Sequence, residues 1–151
     1  MSSSAMRPRE PYEALGYLLK HAHQRLTAQA DSALAPLGID SKEFGVLRAL
    51  VGRDPMSQQQ VAATLGVDRT TMVALIDGFE AKGIASRTPD PEDRRRNCVI
   101  LTPTGLRLYR KADAAYAAVE ESFLAPLGSA TAGFTAALRS VLDADPPVDE
   151  P

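Results

Sequence analysis

Apolar residues recur along this chain at intervals of three and four, in runs separated by proline, glycine and short capping residues. Leu15, Leu18, Leu19, Ala22 and Leu26 predict a first amphipathic helix over about 11–35. Pro11 suits its first turn, and Pro36 and Gly38 end it. Phe44, Leu47, Leu50 and Val51 form the stripe of a second helix, capped by Asp40 or Ser41. Gly52-Arg53-Asp54-Pro55 reads as a turn. Ser57 and Gln60 stand at capping-box spacing, so a short helix is expected to about Leu65, with Gly66 closing it in the left-handed conformation. Asp68 caps the next helix. Its stripe is Met72, Leu75, Ile76 and Phe79, spaced i, i+3, i+4, i+7, and Gly83 ends it.

The period then changes. Ile84–Thr88 and Asn97–Leu101 read as two short strands around the polar turn Pro89–Asp93, a β-hairpin whose loop carries Arg94, Arg95 and Arg96. Thr102-Pro103 restarts helix, with Thr as cap and Pro at the first position. A long helix is expected from Pro103 to about Leu124, with Leu106, Tyr109, Ala112, Tyr116, Val119 and Phe123 on one stripe. After Pro126 and Gly128 a last helix covers about 130–142, with Phe134, Ala137, Leu138 and Val141 inward. Residues 1–10 read as a disordered lead-in and 144–151 as an acidic tail, which leaves one domain over 11–143.

Composition agrees with this helical reading. The 151 residues suit one domain, 44% are apolar and 24% charged, and Trp is absent. A core of Leu, Val, Ile and Ala favours helices. The net charge of −2 does not by itself announce a polyanion partner. The tail, however, holds three acids and no base, and the rest of the chain is slightly positive. Its densest basic point is Arg94–Arg96. Cys98 is the one cysteine, which excludes a disulfide within the chain and a zinc site with several cysteines. The opening MSSSAMRPREP lacks the apolar stretch of a secretion signal, and no apolar run approaches the ~18 residues of a membrane span. A reducing, cytoplasmic location is the expectation.

Helix, tight glycine turn, helix and basic hairpin together make a winged helix-turn-helix. The expected fold is mainly α with a small β-hairpin wing. A core over 38–102 is flanked by helices at 11–36 and 103–143. The helix over 68–82 fits a major groove, where every base pair shows its own donor and acceptor pattern. Its first turn presents Arg69, Thr70 and Thr71, and Ala74 lies one turn on. Arginine reads guanine, and threonine offers a hydroxyl and a methyl. Ser57 and Gln58, at the start of the preceding helix, are candidate phosphate contacts. The wing over 89–97 suits a minor groove, where Arg meets enhanced negative potential. Asp93 can hold a neighbouring wing arginine through a charge-assisted hydrogen bond.

Other residues point to less. His21 and His23 lie two apart and do not share a helix face, so no metal site is expected. Cys98 reads as a small apolar strand residue. Tyr17, Phe44, Tyr109 and Tyr116 are open to two readings, packing or a ligand cavity. No nucleophile–base pair and no phosphate-binding glycine loop is visible, so no catalytic residue, enzyme activity or cofactor is expected.

The run Asp93-Arg94-Arg95-Arg96-Asn97-Cys98-Val99-Ile100-Leu101-Thr102 resembles the wing of MarR-type regulators. Their pattern is Asp-x-Arg, three residues, an apolar residue, then x-Leu-Thr, and Asp93, Arg95, Val99, Leu101 and Thr102 fit it. Leu65–Thr71, Leu75-Ile76-Asp77 and Lys82-Gly83 are similar to the family's helix-turn-helix. The resemblance implies a homodimer built from the first and last helices, as dimerisation helices. It also implies a transcriptional repressor, released by a small aromatic or acidic effector. Two recognition helices would read double-stranded DNA as a near-palindrome about one turn apart. It makes Arg95 the minor-groove arginine, Asp93 its partner, and Arg94 and Arg96 phosphate contacts. Two residues depart from the pattern. Ala74 stands where the family often has Arg, and Gly78 lies inside the recognition helix.

Overall fold

The computed structural model of the chain describes residues 10, 13–52 and 54–144. Most of the expected lead-in and tail, with Pro11 and Arg53, lies outside the described residues. Six helices and a small sheet follow one another as α1 (Leu15–Leu34), α2 (Ser41–Leu50), β1 (Met56–Ser57), α3 (Gln58–Leu65), α4 (Arg69–Ala81), β2 (Ala85–Pro89), β3 (Asn97–Leu101), α5 (Pro103–Leu124) and α6 (Thr131–Asp143).

The caps explain the boundaries. α1 tightens into a 3₁₀ turn over Ala35–Leu37, because Pro36 sits in its first positions, and Gly38 closes it at φ 75°. Asp40, not Ser41, caps α2, in a reciprocal box with Glu43. Ser41 turns back to α1 instead. Its N–H donates to Asp31 Oδ1 at 2.8 Å, and its hydroxyl donates to the same oxygen. Ser57 and Gln60 form the expected box on α3, and Asp68 caps α4.

Both helices of the corner end in the same glycine-dependent way. Past α4, the Gly83 N–H donates to Glu80 and the Ile84 N–H to Phe79, across a glycine at φ 67°. This is a Schellman closure. It uses Ile84 to end the helix, which is why β2 begins at Ala85 rather than at the expected Ile84. Gly66 closes α3 alike, with the Val67 N–H donating to Ala62.

The sheet has three antiparallel strands in the order β1-β3-β2, not the two of the expected hairpin. Ala85 pairs with Leu101 and Pro89 with Asn97, while Met56 and Ser57 pair with Val99 and Cys98. β1 is too short for its alternation to show in the sequence.

The core gathers Phe44, Leu47, Val61, Met72, Ile76, Phe79 and Val99, with Ala30 and Leu34 from α1 and Ala112 from α5. Two expected stripes do not join it. Leu15, Leu18 and Leu19 on α1 are exposed, and so are Phe134 and Val141 on α6. Among the described residues α6 packs mainly on the turn before it, which leaves Phe134 and Val141 uncovered.

α5 is seated by a close approach. The Thr102 hydroxyl lies 2.6 Å from the Gly83 carbonyl and 3.0 Å from that of Ile84, and it accepts from the Gly105 N–H at 3.1 Å. A side chain on Gly105 would put its Cβ 2.1 Å from the Ile84 carbonyl oxygen.

Candidate nucleic-acid interface

α4 shows solvent an N-terminal face of Arg69, Thr70 and Ala74, all exposed. Thr71 is half-buried, and its hydroxyl is committed to Asp68 at 2.6 Å, with its N–H on the same carboxylate at 2.9 Å. These bonds, the hydroxyl's first, hold the Asp68 carboxyl below the usual aspartate value. Thr71 therefore braces the helix start and keeps only its methyl for an outside contact. The Ser57 hydroxyl accepts from the Gln60 N–H at 3.2 Å and keeps its own proton for an outside acceptor.

The wing loop is built around Asp93. Its Oδ1 accepts from the Arg95 backbone N–H at 3.0 Å, and its carbonyl accepts from the Arg96 N–H at 2.9 Å. Its Oδ2 lies 3.6 Å from Arg96 Nε. This corrects the expected pairing. Asp93 holds the Arg95 main chain and the Arg96 guanidinium, not the Arg95 guanidinium, because a residue two places on faces the carboxylate with its N–H. Arg94 and Arg95 are exposed, with no ion pair among the described residues.

Some of these parts meet in one groove of about 430 Å³, lined by the cap Ser57 and by Gln58 of α3, Arg69 and Met72 of α4, and Arg87 and Arg96 from the wing, whereas Thr70, Thr71, Ala74, Arg94 and Arg95 lie outside its lining. Arg87 went unnoticed in the sequence, and it is the hub of the groove's floor. It donates to Asp77 Oδ1 at 2.7 Å, to the Glu80 carboxylate, and to Gln58 Oε1 at 3.1 and 3.3 Å. Burial works against its charge, but Asp77 and Glu80 outweigh burial and raise its pKa. The available signal was two acids three apart on α4, close to an arginine on the following strand.

A second cluster lies between α2 and α5. Phe44 packs on Tyr116 and Tyr109, with ring centroids 5.1 and 6.1 Å away. The Arg48 guanidinium stands 4.5 Å over Phe44 and 4.7 Å over Tyr116, and reaches Asp113 at 3.6 Å. Tyr17 lies elsewhere, its ring 4.0 Å from that of His21. Cys98 is buried, and its thiol pKa is pushed up by burial first and by Asp90 next.

Residues 37–96 match the sequence pattern of the MarR family. The chain is 32% identical over 150 residues to the HTH-type transcriptional repressor NicR of Pseudomonas putida, covering 95% of this chain and 93% of that one. Its fold is similar to that of CouR of Rhodococcus jostii, a transcriptional repressor solved on a 23-mer DNA duplex, at TM-score 0.82 and 29% identity, covering 93% and 100% of the two chains. It is also similar to BpsR of Bordetella bronchiseptica, whose DNA binding is regulated by 6-hydroxynicotinic acid, at TM-score 0.82 and 28% identity, covering 92% and 100%.

Proposed function

The chain belongs to the MarR family of DNA-binding transcription regulators, and from that membership we propose a homodimeric cytoplasmic repressor of a near-palindromic operator. The observation that carries the reading is the shared groove. Ser57 and Gln58 at the start of α3, Arg69 in the first turn of α4 and Arg96 of the wing all line it. Residues 38–102 form the DNA-binding unit in this reading, and 11–36 with 103–143 the dimerisation part. Arg69, Thr70 and Ala74 face bases in the major groove, with the Thr71 methyl beside them. Arg95 enters the minor groove. Ser57, Gln58, Arg94 and Arg96 contact phosphates.

Release by a small aromatic acid belongs to the same proposal. The supporting feature is Arg48 stacked over Phe44 and Tyr116, which offers a cation beside aromatic faces. Regulation of BpsR by an aromatic acid favours that ligand class.

Selection of bound duplexes from a random pool tests the DNA reading. The expected product is an inverted repeat with half-sites about 10 base pairs apart. A pool that shows no enrichment overturns it.

A further inference from the structure

We propose that Arg87 is a positioning residue for DNA binding, which locks the Gln58 amide with its oxygen inward and its NH₂ toward a phosphate. The inference rests on the DNA-binding reading above. A guanidinium has only donors, so the atom of Gln58 that faces it must be the oxygen. Oε1 accepts from Arg87 Nε at 3.3 Å and from Nη2 at 3.1 Å. The amide nitrogen is thereby turned away from Arg87, at the first residue of α3, where the groove opens.

Arg87 is itself held from several sides. Asp77 and Glu80 on α4 fix its guanidinium, and Glu80 Oε1 accepts its backbone N–H at 3.0 Å. Its side chain is 21% exposed, so the guanidinium is largely shielded at the groove's floor while Asp77 reaches out to solvent at 60%. A glutamine side chain left free must be ordered when it binds, and one already held does not incur that cost. The first helix of a helix-turn-helix crosses the DNA backbone, which makes a phosphate oxygen the acceptor this donor meets. An amide carries no charge, so this contact adds affinity without adding to the salt dependence.

The test uses the full chain and a duplex that it enriches from a random pool. Each phosphate is replaced in turn by a methylphosphonate, and binding is measured by gel shift. Wild-type protein is expected to lose about tenfold in affinity at one particular phosphate per half-site. Gln58→Ala should bind the unmodified duplex about tenfold more weakly and ignore substitution at that phosphate. Arg87→Lys should reproduce that altered footprint at an unchanged salt slope, and should cost little more once Gln58 is already alanine. A merely structural role for Arg87 would lower affinity without erasing one phosphate's contribution.

The inference is overturned if Arg87→Lys keeps the wild-type footprint, or if the losses from the two substitutions simply multiply. Gln58→Glu tests it even where Arg87 variants do not fold. Its carboxylate keeps both Arg87 bonds but turns an oxygen toward the phosphate, so it should bind more weakly than Gln58→Ala at wild-type Tm. Binding equal to wild type would sink the proposal. Wild-type protein that enriches no sequence removes the DNA reading, and the inference with it. Wild-type binding alongside variants that keep its footprint removes the inference alone.

Discussion

Phe44, Leu47, Val61, Met72, Ile76 and Phe79 are at most 2% exposed, whereas Leu15, Leu18, Leu19, Phe134, Val141 and Leu142 stand between 41% and 82% exposed. The first set belongs to α2, α3 and α4, and the second to the terminal helices α1 and α6. Both regions are amphipathic in sequence, but among the described residues only the first has its apolar stripe covered throughout. α2, α3, α4 and the sheet close a core around short connections. Among the described residues, Leu15, Leu18 and Leu19 at the start of α1 and the apolar residues of α6 stay uncovered, although Ala30 and Leu34 near the end of α1 are buried in that core. Exposed apolar helix faces are a common mark of an interaction site. α2, α3 and α4 thus bury their own apolar stripes, with Ala30, Leu34 and Ala112 from the flanking helices completing the core.

The sharpest way to break this contrast is at the joint between the two regions. Gly105→Ala sets a Cβ against the Ile84 carbonyl at 2.1 Å, with backbone on both sides. Overpacking that neither side can relieve is expected to cost about 3 kcal/mol or more, read as a drop in the urea midpoint. A variant as stable as wild type would show that α5 can lift off the strand at little cost.

Leu18→Asp combined with Phe134→Asp should separate the regions the other way. The expected result is a dimer weakened at least about a hundredfold by sedimentation, roughly 3 kcal/mol. The far-ultraviolet signal of the inner helices should persist. Loss of helix throughout would mean that the DNA-binding unit is not self-sufficient.

A third change leaves folding alone. Arg95→Ala is expected to weaken operator binding by about 1–3 kcal/mol with no shift in Tm, and most on A·T-rich flanks. Unchanged affinity would remove Arg95 from the interface.

The smallest effect concerns the tie from α1 to α2. Ser41's hydroxyl first, and its N–H next, hold the Asp31 carboxyl below its ordinary value of 3.8. A depressed carboxylate contributes stability that is present above the unfolded value and lost as pH falls through the folded one. Asp31→Ala should therefore cost about 1 kcal/mol at neutral pH. The gap from wild type should close as the pH drops below 3.8. A gap that is independent of pH would assign the loss to packing instead.

Much of this was legible in the sequence, for local reasons. Caps at Asp40, Ser57, Asp68 and Thr102 act over three residues, so their spacing is visible without a fold. The glycine stops at Gly66 and Gly83 are equally local. The arginine wing stood out by composition alone. What escaped notice depends on distant partners. β1 exists only because β3 offers an edge, and Ser57 pairs with Cys98 from the far side of the whole helix-turn-helix. Arg87 gains its partners only when α4 brings Asp77 and Glu80 beside it and α3 supplies Gln58.

The sequence by itself determined the helices, their caps and stops, and the basic loop, because each follows from periodicity or from hydrogen bonds a few residues long. Tertiary structure decided which amphipathic faces are covered and which stay exposed. It also decided that Asp93 holds the Arg95 backbone rather than its guanidinium, and that Gly105 must be glycine. Those outcomes depend on distances between elements far apart in the chain, and periodicity carries no record of such distances.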